Sequence, residues 1–251
     1  MVLTPADIEA LERATLQAVP PERLVERPGW LLPMDAGTVG RARSAVPLHH
    51  GDPDPVAVER IVACYREQGF APALRLPDLP AFEPCHWRLL ALGFVRQQPT
   101  LVMTGTVEAM LATGPGADTC DIEQRPGEAW MAMYLGAGLD PVDGACRARI
   151  MARARDLRYA SVTRDGRMLA CGAASLSHGW LGVHGMRTAE EVRGQGLASR
   201  VLRGMAQAAR DQGISRVFLQ VDQGNTGARA LYARFGLEDR WTYAYWRPAA
   251  G

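Results

Sequence analysis

The string "REQG" at residues 66–69 returns as "RDQG" at residues 210–213, 144 positions later. Each copy closes a run with apolar residues at helical spacing, "VERIVACYREQG" and "VLRGMAQAARDQG", and the final glycine supplies a stop. A β-rich string follows each, "FAPALRLP" and "ISRVFLQV". A second helical stretch then ends in glycine plus an apolar residue, Gly93-Phe94 and Gly236-Leu237, and gives way to "RQQPTLVMTG" and "RWTYAYW". Helix, strand, helix, strand recurring in one order at one offset restricts the chain to two copies of a single α/β unit. The expected units are residues 1–110 and 118–251, with a break near 104–118. A chain of 251 residues is long enough for both.

The second copy extends backward. "RYASVTRDGRMLACGAASLSHGWLGVHGMRT" reads as three strands, with a hairpin turn at Asp165-Gly166 and another near His178-Gly179. "GEAWMAMYLG" and "CRARIMARAR" before it read as helices, and "DTCDIEQR" as a short opening strand. The full order is then β-α-α-β-β-β-α-β-α-β. In the tail, Trp241, Tyr243 and Tyr245 alternate with Thr242, Ala244 and Trp246, so both faces of that strand carry apolar bulk, as burial on both sides requires. One of these aromatics is a candidate to line a substrate site.

Between the fourth strand and the next helix stands "RGQGLA", residues 193–198. Arg193, Gly194, Gln195 and Gly196 are poor helix formers, whereas Leu197, Val201, Leu202, Met205 and Ala209 recur at helical spacing. A glycine turn opening a helix leaves backbone N–H groups unpaired at the positive end of the helix dipole. That arrangement suits an anion, most simply a phosphate. Gly194 and Gly196 allow close backbone approach, and Ala198 keeps the first turn small.

This order of elements, with Arg193, Gly196 and Ala198 in a [QR]-x-x-G-x-[GA] pattern, resembles the GNAT superfamily of N-acetyltransferases. A second family pattern, N-x-x-A-x-x-L-Y-x-x-x-G-[FL], is met by Asn225, Ala228, Leu231, Tyr232, Gly236 and Leu237. The resemblance covers about 118–251 well and the first half in outline. It implies a mixed-sheet α/β (α+β) fold, two GNAT-like acyl-CoA N-acyltransferase units in tandem, and transfer of an acetyl group from acetyl-CoA directly to a primary amine. The residues implied to bind coenzyme A are Met186, Arg187 and Thr188 along the fourth strand, then Arg193, Gly194, Gln195, Gly196, Leu197 and Ala198 at the pyrophosphate. Asn225 and Tyr232 would meet the acyl arm from the other side. By the same resemblance Tyr232 would protonate the departing thiolate, a transfer suited to a phenol pKa near 10 and a thiol pKa near 8.5. His184, on the fourth strand, is the candidate general base, since an unperturbed imidazole titrates near 6.5; a structural histidine is the alternative. Glu190 and Glu191 read as a solvated pair, and Asp222 as a further base candidate. Direct transfer needs no covalent enzyme intermediate.

Carrying the patterns back by the repeat offset places His49, Asp52 and Asp54 in the string "HHGDPDP" where Arg193, Gly196 and Ala198 stand, and Phe82 and Leu89 opposite Asn225 and Tyr232. Carboxylates at a phosphate site, and prolines that remove N–H donors, oppose anion binding. The first unit is therefore expected to keep the shape without binding coenzyme A. Its string "VGRARSAVPL" is read as a strand that walls the acceptor pocket. Arg41 or Arg43 either meets an acidic substrate or covers the surface.

Composition excludes more than it selects. The formal charge is +1 and argues against a nucleic-acid surface; all 28 basic residues are arginine. The five cysteines, Cys64, Cys85, Cys120, Cys146 and Cys171, form no CxxC pair and read as reduced thiols. His49, His50 and His86 lack zinc-ligand spacing to Cys64 and Cys85, so no metal is expected. "MVLTPADIEALERATLQAVP" has no basic n-region and reads as a capped helix rather than a signal peptide. No apolar run approaches the ~18 residues of a membrane span. A cytoplasmic protein acting on a small-molecule amine is expected, and a homodimer is compatible with the resemblance. The competing reading is a non-catalytic acyl-CoA sensor or interaction module, and a longer donor such as succinyl-CoA is open.

Overall fold

Thr4 opens the first helix with a reciprocal cap. Its hydroxyl accepts from the Asp7 amide and the Asp7 carboxylate accepts from the Thr4 amide, which starts α1 (Pro5–Ala18). The computed structural model describes residues 2–113, 120–135 and 140–249. Along the chain follow β1 (Arg23–Arg27), β2 (Trp30–Met34) and β3 (Val46–Pro47), then α2 (Pro55–Glu67), β4 (Leu74–Pro77), α3 (Glu83–Ala91) and β5 (Phe94–Thr106). Next come α4 (Val107–Ala112), β6 (Asp121–Glu123), α5 (Glu128–Ala132) and α6 (Pro141–Arg153). The last elements are β7 (Leu157–Arg164), β8 (Arg167–Ser177), β9 (Trp180–Thr188), α7 (Leu197–Asp211), β10 (Arg216–Asp222), α8 (Thr226–Arg234) and β11 (Glu238–Pro248). From β6 onward this is the order read from the sequence. Asp165, Gly166, His178 and Gly179 all hold positive φ, as tight hairpin turns require.

The two repeated segments, α2-β4-α3-β5 and α7-β10-α8-β11, share backbone detail. The Phe70 amide bonds the Tyr65 carbonyl and the Gly69 amide that of Arg66; Ile214 with Ala209 and Gly213 with Arg210 repeat both bonds. Gly69, Gly93, Gly213 and Gly236 all sit at φ of 71–78°, the left-handed geometry that ends a helix.

The main sheet runs β4-β11-β5-β10-β9-β8-β7-β6, and β1-β2-β3 form a smaller antiparallel sheet. Among the described residues only the β9–β10 pair in the main sheet is parallel. A parallel bridge between Ala45 and Leu74 links the small sheet to β4. β5 lies between β10 and β11, and β11 lies between β4 and β5, so the strands that close the two sequence halves are exchanged and one sheet crosses the midpoint. One sheet face packs Leu181, Val183, Val217 and Leu219 on the apolar stripe of α7 (Leu197, Val201, Leu202, Met205, Ala206 and Ala209). The opposite face packs Trp180, Phe218, Trp241, Tyr243 and Tyr245 on Ile8, Leu11 and Ala14 of α1. Across this second layer the buried Glu12 and Arg75 form an ion pair at 2.5 Å that ties α1 to β4. Removing one partner would strand the other charge, at a cost of about 3–5 kcal/mol.

Three sequence expectations change here. Residues 107–112, read as part of the break, are helix α4, because Thr106 caps the Ala109 amide and Val107 and Met110 find burial against α7. Residues 104–106 of that break end β5, and residues 114–118 lie outside the described residues. The string "VGRARSAVPL" is not a strand throughout: Gly40–Ala42 is a 3-10 turn and only Val46–Pro47 extends. Ser44 Oγ donates to the Gly40 carbonyl at 2.7 Å and Arg43 to that of Gly37, which closes the turn. Gly40 is required there, since a Cβ would stand 2.7 Å from Cε1 of Tyr245. Strands β1 and β2, turning at Pro28-Gly29, were not read at all.

Candidate functional site

β9 and β10 pair from Trp180–Arg216 only as far as Val183–Leu219. Beyond that point β9 continues to Thr188 along β8, and β10 continues to Asp222 along β5. The parallel strands thus part at their carboxyl ends, where open α/β sheets present crevices. His184 and Gln220 are the first unpaired residues on the two sides of this wedge.

The β9 edge is reshaped by a bulge. The register against β8 shifts between Cys171–Arg187 and Ala173–His184, so Gly185 and Met186 oppose the single residue Gly172. Gly185 takes φ of 59°, and a Cβ there would strike the Tyr134 hydroxyl. Tyr134, buried just after α5, donates to the Gly185 carbonyl at 2.6 Å, and the Arg187 guanidinium lies over its ring at 5.2 Å. One side of the Gly185-Met186 peptide is therefore held, and Met186, Arg187 and Thr188 form a half-buried edge with no strand beyond it among the described residues.

The chain then turns through residues 189–196 into α7. Gly194 and Gly196 hold φ of 79° and 78°, where a side chain would be strained even though the space around both is open. Gly196 is the N-cap of α7 and brings no side-chain cap. Among the described residues no acceptor is bonded to the amides of residues 194–199. Six amides at the positive end of a 15-residue helix therefore remain available to an anion. Leu197 is buried in the core and anchors the turn; Arg193 and Gln195 are exposed, and Arg193 makes a surface contact with Glu190 at 3.3 Å. Glu191 pairs with Arg167, so both glutamates are solvated partners, as the sequence suggested.

Across the wedge, Asn225 caps α8 by accepting the Ala228 amide at 3.1 Å, which leaves its Nδ2 donors unused by the cap. Tyr232, seven residues on, is 7 % exposed, and burial raises its phenol to about 12. His184 is buried on the α1 face with Nε2 at 3.0 Å from Ser175 Oγ, and Nδ1 has no hydrogen-bond partner among the described residues. Burial, then the charge of Arg41, holds its pKa well below 6.5, so the ring is neutral at physiological pH. Asp222 is exposed and caps the Gly224 amide.

The sequence did not mark Tyr134 or Gln220. Tyr134 leaves no local signal. Gln220 does: it is the one polar residue inside the apolar string "VFLQV". Its Oε1 accepts from Tyr243 at 2.9 Å, and its Nε2 donates to Thr15 at 3.1 Å. Among the described residues no group of three or more His, Cys, Asp or Glu is arranged to hold a metal ion. No described helix is long and apolar enough to cross a membrane.

The turn that would hold the first unit's anion is built differently. Asp54 is the N-cap of α2, accepting the Val56 amide at 2.9 Å and pairing with Arg60 at 2.6 Å, and Pro55 removes one donor. His50 is half-buried edge-on to Trp241 with ring centroids 4.7 Å apart, and desolvation lowers its pKa to about 4.

Comparison with known proteins agrees with this architecture. The family model described as "Probable histone acetyltransferase Rv0428c C-terminal" matches residues 5–246. The uncharacterized N-acetyltransferase YobR of Bacillus subtilis (strain 168) is 30% identical over 117 residues, which is 46% of this chain and 47% of that protein. The chain thus spans about half the length of this curated relative. A GCN5-related N-acetyltransferase from Kribbella flavida has a TM-score of 0.72 at 19% identity, covering 97% of this chain and 96% of its own. A tandem GNAT protein from the clavulanic acid biosynthesis pathway has a TM-score of 0.59 at 13% identity over 99% and 98%. At these identities the two structures speak for the fold. With the wedge, the open helix start and a family match over nearly its whole length, the chain belongs to the family described as "Probable histone acetyltransferase Rv0428c C-terminal" and has the fold of GNAT-type acyltransferases.

Proposed function

We propose that the protein transfers an acetyl group from acetyl-CoA to a primary amine of a small molecule, at a single centre in the C-terminal half. The observation that carries this reading is the parting of β9 from β10 beside an uncapped helix start: an extended edge for an acyl arm and, next to it, free amides for a pyrophosphate. Residues 1–110 and 118–251 are read as two copies of one unit, with the first copy's anion site filled by Asp54. A cytoplasmic location fits this reading.

In this proposal Gly194, Gln195, Gly196, Leu197 and Ala198 hold the diphosphate through main-chain donors, with Arg193 adding charge. Met186, Arg187 and Thr188 align the arm, and Asn225 meets it from α8. The bound donor supplies an activated thioester. The β9 amides beside Gly185 polarise its carbonyl, and holding amine and thioester together supplies much of the rate. Tyr232 carries the proton that the departing sulfur takes; a phenol raised to about 12 stays protonated throughout the physiological range. His184 offers Nδ1 as the atom that takes a proton from the amine side.

The test is release of free thiol from acetyl-CoA against a library of amines. Release with one amine class, lowered by Tyr232→Phe and by His184→Gln, is the expected outcome. Coenzyme A binding with no release on any amine would replace the transfer reading with that of a sensor.

A further inference from the structure

Arg41 comes from the first half of the chain but stands at the mouth of the wedge in the second. Its 3-10 turn is seated on Tyr245 at Gly40. Its Nη1 reaches Gln220 Oε1 at 3.5 Å, and Gln220 is where β10 leaves β9. Its charge is also felt at His184, the first unpaired residue of β9, and at Tyr134, which bonds the Gly185 carbonyl. It therefore faces both walls of the wedge on the α1 side, opposite α7.

A guanidinium has five N–H donors. Among the described residues Arg41 uses one of them, in one long contact to a neutral amide, and it is only partly buried. The charged neighbours do not neutralise it. Glu12, a carboxylate that feels its charge, is the ion-pair partner of Arg75 at 2.5 Å. Asp143, on the Arg187 side, is held by Arg147 at 2.6 Å and by Thr38 at 2.7 Å. With Arg75 matched by Glu12, Arg41 and Arg187 leave an excess of positive charge around the wedge. Such a site disfavours a second cation and favours an anion that guanidinium can grip through two parallel hydrogen bonds.

We propose that Arg41 selects acceptors whose amine stands beside a carboxylate, so that the substrate class is amino acids rather than polyamines or protein lysines. The inference rests on the transfer reading above. Clamping the carboxylate would orient the neighbouring amine toward the wedge, and the positive field would favour its neutral, nucleophilic form.

The experiment measures kcat/KM by thiol release on matched triplets: amino acids, their carboxamides, and the amines left on removing the carboxyl group. The wild type is expected to prefer an amino acid over its carboxamide by at least about tenfold. Arg41→Gln is expected to bring that ratio close to one and Arg41→Lys to keep part of it, with a thermal melt verifying that both variants fold. A preference for the carboxamide or the decarboxylated amine, or a ratio that survives Arg41→Gln, overturns the inference and leaves the transfer reading standing. Absence of release with every amine removes the transfer reading, and the inference falls with it.

Discussion

The starts of α2 and α7 occupy matching positions in the two repeated segments, and they end in opposite chemistry. At α7 the N-cap is Gly196 in the left-handed region, without a side chain to offer the first-turn amides. At α2 the N-cap is Asp54, whose carboxylate already takes the Val56 amide and is itself paired with Arg60. Both helices need a negative group at their positive end. One finds it within the chain, whereas the other leaves its first-turn amides open, the place that the proposed function gives to a ligand. The difference teaches that a helix start is opened by omission: the same fold, with a cap removed and glycine inserted, turns an internally satisfied terminus into one with unsatisfied donors, which is what the proposed anion site requires.

The sharpest test of the asymmetry is at the sulfur end. Tyr232→Phe is expected to lower kcat by about 10²–10³, the usual worth of a general acid, while the coenzyme A Kd from calorimetry changes by less than about threefold. A matching loss of affinity would show Tyr232 to be a packing residue, as Leu89 is in the first segment.

Next comes the turn itself. Gly196→Asp gives α7 a capping carboxylate of its own and places a side chain at φ of 78°. Coenzyme A affinity is expected to fall roughly 100-fold, near 2.7 kcal/mol. Unchanged affinity in calorimetry would break the comparison.

The matching stretch before α2 predicts a pH effect. His50 is half-buried against Trp241 with its pKa lowered to about 4 by desolvation, against about 6.5 in the unfolded chain. Between those values the unfolded state binds the extra proton, so stability is full above pH 6.5 and is lost as pH falls toward 4. His184, lowered by burial, adds in the same direction. Urea midpoints at pH 7.5, 5.5 and 4.5 should decline in that order, and His50→Gln should flatten the decline.

The smallest effect belongs to Asp54. Asp54→Ala removes the α2 cap and should lower Tm by roughly 2–4 °C, with no second coenzyme A site in calorimetry. A second binding event would mean that one carboxylate is all that silences the first turn.

How much of this was legible depended on how local each cause is. Helix α7 was readable because its buried stripe lies within one helix and its glycines sit in one turn, and the positive-φ glycines that end α2, α3, α7 and α8 marked the repeat. The aromatic alternation of β11 was equally plain, and the two faces do pack into different layers. Helix α4 was not readable: six residues make a weak helical pattern, and their stability comes from burial of Val107 and Met110 against a helix far along the chain. The 3-10 turn at Gly40–Ala42 likewise depends on Tyr245, some 200 residues away, and the hold of Tyr134 on Gly185 spans 51 positions.

By itself the sequence determined the order of elements from β6 onward, the glycine turn at residues 194–196 and its carboxylate-bearing counterpart at residues 52–54, because backbone freedom, capping and hydrophobic period act over a few residues. Only the tertiary structure decided that β5 and β11 change places, that β9 and β10 part after Val183 and Leu219, and that Arg41 stands across that gap. Those outcomes depend on which strand edges and buried faces meet, and burial selects such meetings between residues that no local pattern connects.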